Sequence, residues 1–380
     1  MTSSTSCSSS KALAVAIVAL AAAACAGARD AARAPGAAEE RPEGGPGAYR
    51  VALFPAENLA AVPVPLRGID GQIARALAAA GLEVVTGDLV ERFLERHRLR
   101  YTGGLDSASA AAAHEELGVD GVLLVSIEAY DQDPVPRLSL TMRLVAASEA
   151  AKVVWIDGSA RTGDDSPGLL GLGMVGRYSE LEHRELARLT SSLVATLAGR
   201  AATAPPCPQD GRFKPRIAFR SPRFDRARSY SVAVLPFVNE TSRRRVGDLV
   251  ALELARQFAG SRRLTVVEPG VVRERLLRNR VVMEGGVSVD TARLVLDDLH
   301  ADLVLAGYVR QFSEGATPSV DFTVLVLERE RGTIMWESTS HATGSQGVWF
   351  FDGGHISTAS ALLCRMARDA VDEFMGDVSG

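Results

Sequence analysis

The stretch Tyr230-Ser-Val-Ala-Val-Leu-Pro-Phe-Val-Asn239 decides the fold. Val232 to Leu235 is an unbroken apolar run, as in a strand buried on both faces, and Pro236 removes a ladder donor and ends it. The same pattern stands earlier as Tyr49-Arg-Val-Ala-Leu-Phe-Pro-Ala-Glu-Asn58, with Tyr, Val, Ala, Pro and Asn each repeated 181 residues on. The chain therefore reads as a tandem duplication.

Working outward, each copy continues with a helix whose apolar stripe recurs every four residues: Ile69, Ile73 and Leu77 in one, Val250, Leu254 and Phe258 in the other. Strands over 82–85 and 264–267 complete a crossover unit, expected to be right-handed. Short helices over 89–99 and 271–281 run into Gly103-Gly104 and Gly285-Gly286, which stop them. Third helices, over about 107–118 and 289–300, lead through Asp120 and Asp302 into strands over 121–130 and 303–312. Period-two alternation then marks hairpins, with Leu138, Leu140, Met142 and Leu144 on one face in the first copy and Val320, Phe322, Val324 and Val326 in the second. Their partner strands carry Trp155 and Trp336, and closing helices are expected over about 179–199 and 356–375. The predicted class is α/β, in two tandem repeats, each a mixed β-sheet of about five strands packed by about four helices. Their limits are 49–200, the more divergent copy, and 230–376, joined by a Pro/Arg-rich linker over 201–229.

Residues 1–25 read as an export signal. Ala12 to Ala24 is an apolar stretch too short to span a membrane, and small residues lead into Cys25. Leu20-Ala-Ala-Ala-Ala-Cys25 resembles a bacterial lipobox, which implies a lipidated Cys25, although Leu lies five places before the cysteine rather than three. Ala26, a residue other than Asp, implies sorting to the periplasmic face of the outer membrane. Residues 26–48 carry no apolar period and form a disordered tether reaching about 25–30 Å. The chain as a whole, at 47% hydrophobic and 23% charged residues, is globular in class, and a net charge of −4 gives no global pull toward nucleic acid. Cys207 and Cys364 are able to pair in an oxidising compartment. Their settings, a linker and an apolar helix, point instead to one exposed and one packed thiol.

The ordered set Val232-Ala-Val-Leu-Pro-Phe237, Leu264-Thr-Val-Val-Glu268, Gly285-Gly286, Ala301-Asp-Leu-Val-Leu-Ala-Gly307 and Gly332-Thr-Ile-Met-Trp336 resembles the CsgG-like envelope lipoproteins. That family includes the curli secretion channel, the LpoB activator of peptidoglycan synthesis and the related TolB amino-terminal domain. The first copy departs from the pattern, with Ser126 in place of the glycine at 307 and Ala56 in place of the phenylalanine at 237. The resemblance implies a non-catalytic periplasmic module that binds other envelope proteins, as scaffold or regulator in cell-envelope assembly. The alternative it carries is a ring-forming subunit of a secretion channel, with homo-oligomers. Barrel hairpins would need long alternating strands, for which the short, equal intervals between matched elements leave little room.

Two features are candidates for contact. Leu169, Leu170, Leu172 and Met174 in one copy, and Val348, Trp349, Phe350 and Phe351 in the other, form apolar loops before the closing helices. They suit a partner, the other repeat or lipid, or else a fold-back onto their own sheet. Arg212, Lys214, Arg216, Arg220 and Arg223 in the linker, interleaved with phenylalanines, suit an anionic envelope surface. The plainer expectation is that Ile217 and the phenylalanines pack on a domain while the basic groups stay wet. Gly171-Leu-Gly-Met-Val-Gly176 has dinucleotide-loop spelling but lies late in its repeat, after no clear strand. The histidines are scattered, Glu182, His183 and Glu185 read as a solvated helix face, and no nucleophile elbow or phosphate loop occurs. No cofactor, metal, nucleic acid or catalytic residue is expected, and an enzyme is the third and weakest reading.

Overall fold

A computed structural model describes residues 49–165, 173–200, 207, 213–315, 317–348 and 354–376. Residues 1–48, expected as signal and tether and including Cys25, lie outside them, as do Leu169, Leu170, Leu172, Arg212, Trp349, Phe350 and Phe351.

The opening strands β1 (Arg50–Leu53) and β8 (Tyr230–Val234) are central, as their apolar runs require. β1 lies parallel between β3 (Glu83–Val85) and β4 (Gly121–Asp131), and β8 lies parallel between β10 (Leu264–Val266) and β11 (Leu303–Ser313). Antiparallel strands β5 (Arg137–Ala146) and β6 (Val153–Thr162), then β12 (Ser319–Glu328) and β13 (Ile334–Thr343), extend each sheet. Beyond the proline, β2 (Glu57–Asn58) and β9 (Val238–Asn239) rejoin β4 and β11. The sheet orders are β3-β1-β4-β5-β6 and β10-β8-β11-β12-β13-β7.

Alternation sorts the cores. Val51 and Leu53 face α1 (Leu66–Ala79) and α4 (Tyr178–Leu197), whereas Ala52 and Phe54 face α2 (Asp88–Arg96) and α3 (Ser107–Leu117). In the second half the corresponding pairs of layers are α5 (Val246–Ala259) with α9 (Ala359–Met375), and α6 (Pro269–Arg278) with the short α7 (Val289–Leu294) and α8 (Leu296–Leu299). The two halves are α/β repeats of one plan.

Several expectations change. Within the stretch expected as linker, residues 216–220 form strand β7 (Arg216–Arg220), antiparallel to β13 at the sheet edge. Phe213, Ile217 and Phe224 pack on the second core. Cys207 is buried and bonded to Cys364 rather than exposed, with Cα atoms 5.5 Å apart. Glu182 and Glu185 are buried, not solvated; Ser159 donates to Glu185 at 2.8 Å, while His183 alone of the three is exposed.

The register also moves one match. Met142 and Val324 hold equivalent places in β5 and β12, and they pair with Val125 and Gly307, so Val125 rather than Ser126 is the counterpart of Gly307. The reason is a size exchange. A Cβ on Gly307 would strike the Phe237 ring, whereas the first half has Ala56 at the phenylalanine's place and room for a valine.

Candidate functional site

The halves meet through buried charge. The first sheet turns polar toward its far end, on the face opposite α1 and α4, where Ser126, Glu128, Ser139, Thr141 and Arg143 are all buried. Arg143 donates from Nε to Glu268 at 3.0 Å and from Nη2 at 3.1 Å, and it also reaches the Gly103 carbonyl. Glu268, at the N-cap of α6, accepts from the backbone N–H of Leu105 and of Gly270, both at 3.2 Å. Burial opposes the charge on Arg143, but the Glu268 carboxylate outweighs it and raises its pKa. The two halves close in here because Gly104 and Gly270 lie backbone against backbone, where a side chain on either would collide.

Two further arginines cross over. Arg243 donates to the carbonyls of Leu59 (3.2 Å) and Glu128 (2.8 Å) and lies over the Phe312 ring. Arg245 pairs with Glu57 at 2.6 Å and with Asp248 at 2.8 Å; burial again works against its charge, and the two carboxylates offset it. Glu128 accepts from Ser139 and Thr141, and burial, then the neighbouring Glu253, pushes its carboxyl up.

Beside this seam lies an open groove of about 850 Å³ to which both halves contribute. Tyr101 comes from the first half, and Arg244, Arg245, Arg273 and Arg280 come from the second. Arg273 sits over the Tyr101 ring at 4.3 Å, and burial followed by Glu57 raises the phenol's pKa. Arg244 and Arg280 are exposed, with no carboxylate partner among the described residues. Leu277 is 53% and Val282 78% exposed along the rim. Arg245 and Arg280 hold left-handed backbone, at φ 64° and 56°. Guanidinium donors beside bare apolar side chains suit an acidic segment that also carries apolar residues. Asp248 and Glu284 temper but do not cancel the four positive groups.

The residues singled out from sequence are not brought together here. Met174 is 48% exposed and Val348 half-buried, each at the described margin of its loop. The loops re-enter by the same device: Val175 donates to the Gly163 carbonyl (2.8 Å) and Ile356 to that of Gly344 (3.0 Å), and both apolar side chains are buried. Lys214, Arg216, Arg220 and Arg223 are exposed around β7, with Arg220 engaged by Glu373 at 2.8 Å. Sequence reasoning passed over Arg143 and Glu268. Their signal is a charge where the other copy has Leu325 and Thr86.

No protein-family model and no curated protein matches the chain. Among solved structures, the chain is similar to the PelC dodecamer protein of Paraburkholderia phytofirmans, at 20% identity over 41% of this chain and 96% of that one, with a TM-score of 0.27. It is also similar to lipoprotein GNA1162 of Neisseria meningitidis, at 18% identity over 40% and 99%, with a TM-score of 0.26. A third likeness is the LpoB C-terminal domain of Escherichia coli, at 17% identity over 30% and 82%, with a TM-score of 0.24.

Proposed function

We propose that this chain is a non-catalytic, lipid-anchored protein of the bacterial envelope that works as a docking scaffold for another envelope protein. The observation that carries this reading is the junction groove: its arginines, stacked Tyr101 and bare Leu277 and Val282 form a surface that neither half makes alone. The partner it suits offers acidic and apolar side chains together. The export signal ending at Cys25 and the Cys207–Cys364 bridge support an oxidising compartment. Ala26 favours the outer membrane, with the tether holding the folded halves clear of the lipid. The apolar loops at 169–174 and 348–351 are a second contact surface in this reading.

A photo-crosslinking residue at Val282, used in intact cells, should trap one dominant protein, and Arg244→Glu with Arg280→Glu should abolish the adduct while leaving the melting temperature unchanged. An adduct that survives both charge reversals would overturn the groove as the docking site. Trp349→Ser with Phe350→Ser should leave folding intact and weaken association. Cys25→Ala should move the protein from the membrane fraction to the soluble fraction.

A further inference from the structure

The seam inside the chain joins two kinds of surface, and each has a bare counterpart in the other half. On the sheet side of the seam, the absent Cβ of Gly158 would lie 3.3 Å from the Arg256 side chain, Ala160 packs on the second core, and Thr162 meets Ser357 at 3.1 Å. On the helix side are α5 and α9. As a result twelve of the fourteen residues of α5 are buried, against three of fourteen in α1, its copy. Between α1 and α4 runs an open groove of about 670 Å³ lined by Arg75, Ala76, Ala79, Glu182, His183 and Ala187. The second sheet bears the other counterpart, a polar end face where Arg310 donates to Thr323 (2.7 Å) and pairs with Asp321 (3.6 Å), beside Thr339 and the exposed His341.

The alignment of the copies says what fits that groove. Arg75 stands where Arg256 stands, and Trp155 and Trp336 place Thr339 and His341 at the positions of Gly158 and Ala160. Bulk has moved across the contact. At the seam the helices α5 and α9 carry Gln257 and Arg368 and the strand β6 carries Gly158 and Ala160; at the bare surfaces the matching helix positions hold Ala76 and Ala187, and the matching strand positions Thr339 and His341. The sum of volumes is kept, as close packing demands. Ionisable groups of both signs also lie at both faces, the exposed Arg75 above the buried Glu182 on one and Asp321 with Arg310 on the other.

We infer that the α1/α4 groove of one copy receives the far end of the second sheet of another copy, repeating between chains the contact that joins the halves within one. This names a further occupied surface and is independent of the junction groove. Because unlike faces meet, the contact is heterologous, and successive chains add head to tail instead of closing as a two-fold dimer.

The test uses the full chain in detergent, followed by sedimentation over a wide concentration range. Wild type should form dimers and larger species. Ala187→Trp, which fills the groove, and Thr339→Trp, which roughens the sheet face, should each be monomeric. Their equimolar mixture should recover a dimer and nothing larger, because each variant keeps the face the other lacks; this recovery also shows that both are folded. A monomeric wild type, an oligomer that tolerates either tryptophan, or a mixture that stays monomeric while circular dichroism shows folded protein, would each overturn the inference. Crosslinking at Val282 reads the junction groove separately, so the two ideas fail independently.

Discussion

Replacing Arg143 by leucine strands a carboxylate. The side chains of Arg143 and Glu268 are 1% and 0% exposed, so neither charge is relieved by water. After the substitution Glu268 keeps two backbone N–H donors, from Leu105 and Gly270, and loses the guanidinium that lies 3.0–3.1 Å from its oxygens. Breaking a buried pair in this way costs about 3–5 kcal/mol, most of it the desolvation of the charge left behind. The duplication supplies the control. The counterpart positions hold Leu325 and Thr86, so Arg143→Leu with Glu268→Thr places at each site the neutral residue that its counterpart in the other repeat carries, and threonine keeps an N-cap acceptor for α6. The double variant should therefore cost far less than the sum of the singles. Urea unfolding followed by tryptophan fluorescence measures the cycle. Additive losses, or a loss below about 1 kcal/mol for Arg143→Leu, would refute the claim that this pair acts as a coupled, desolvated unit.

Three further outcomes are expected. Converting Cys207 and Cys364 to alanine should cost about 5 kcal/mol in loop-closure entropy, given their separation of 157 residues, and dithiothreitol should destabilise wild type but not this variant. Burial holds the Asp70 carboxyl up, from 3.8 to about 6, against the Ala56 N–H that lowers it. The folded state thus keeps a proton that the unfolded chain releases, so this contribution is full below pH 3.8 and is lost as pH rises through about 6. Asp70→Asn should raise the melting temperature above pH 6 and flatten its fall between pH 4 and 6; parallel curves for the two proteins would contradict the assignment. Gly307→Ala should destabilise by about 1–3 kcal/mol through overpacking against Phe237 and the Thr323 carbonyl, read as a shift in the denaturation midpoint at unchanged slope.

How far the molecule was legible depends on the range of the forces involved. Val232 to Leu235 with Pro236, the stripes at Ile69 and Val250, and the alternation through Leu138 and Val320 are local patterns, and a strand or helix expresses such patterns wherever it folds. The duplicated α/β plan, the central place of β1 and β8 and the hairpin faces follow from them. β7 escaped because Arg216 to Arg220 has no clean alternation of its own; it becomes a strand by pairing with the edge of β13. Cys207 lies in an irregular stretch whose spacing says nothing of its distance from Cys364. The one-residue slip between Ser126 and Val125 could be seen only once ladder partners were known.

The repeat and its element order are thus properties of the sequence alone. The tertiary structure decided how one copy lies on the other. That choice turns α5 from an amphipathic helix into one buried nearly all round, draws Arg143 onto Glu268, and leaves the α1/α4 groove bare. The physical reason is that burial is a property of the neighbour: identical stripes predict a core face in both copies, but nothing local reports which of the remaining faces meets protein and which meets water.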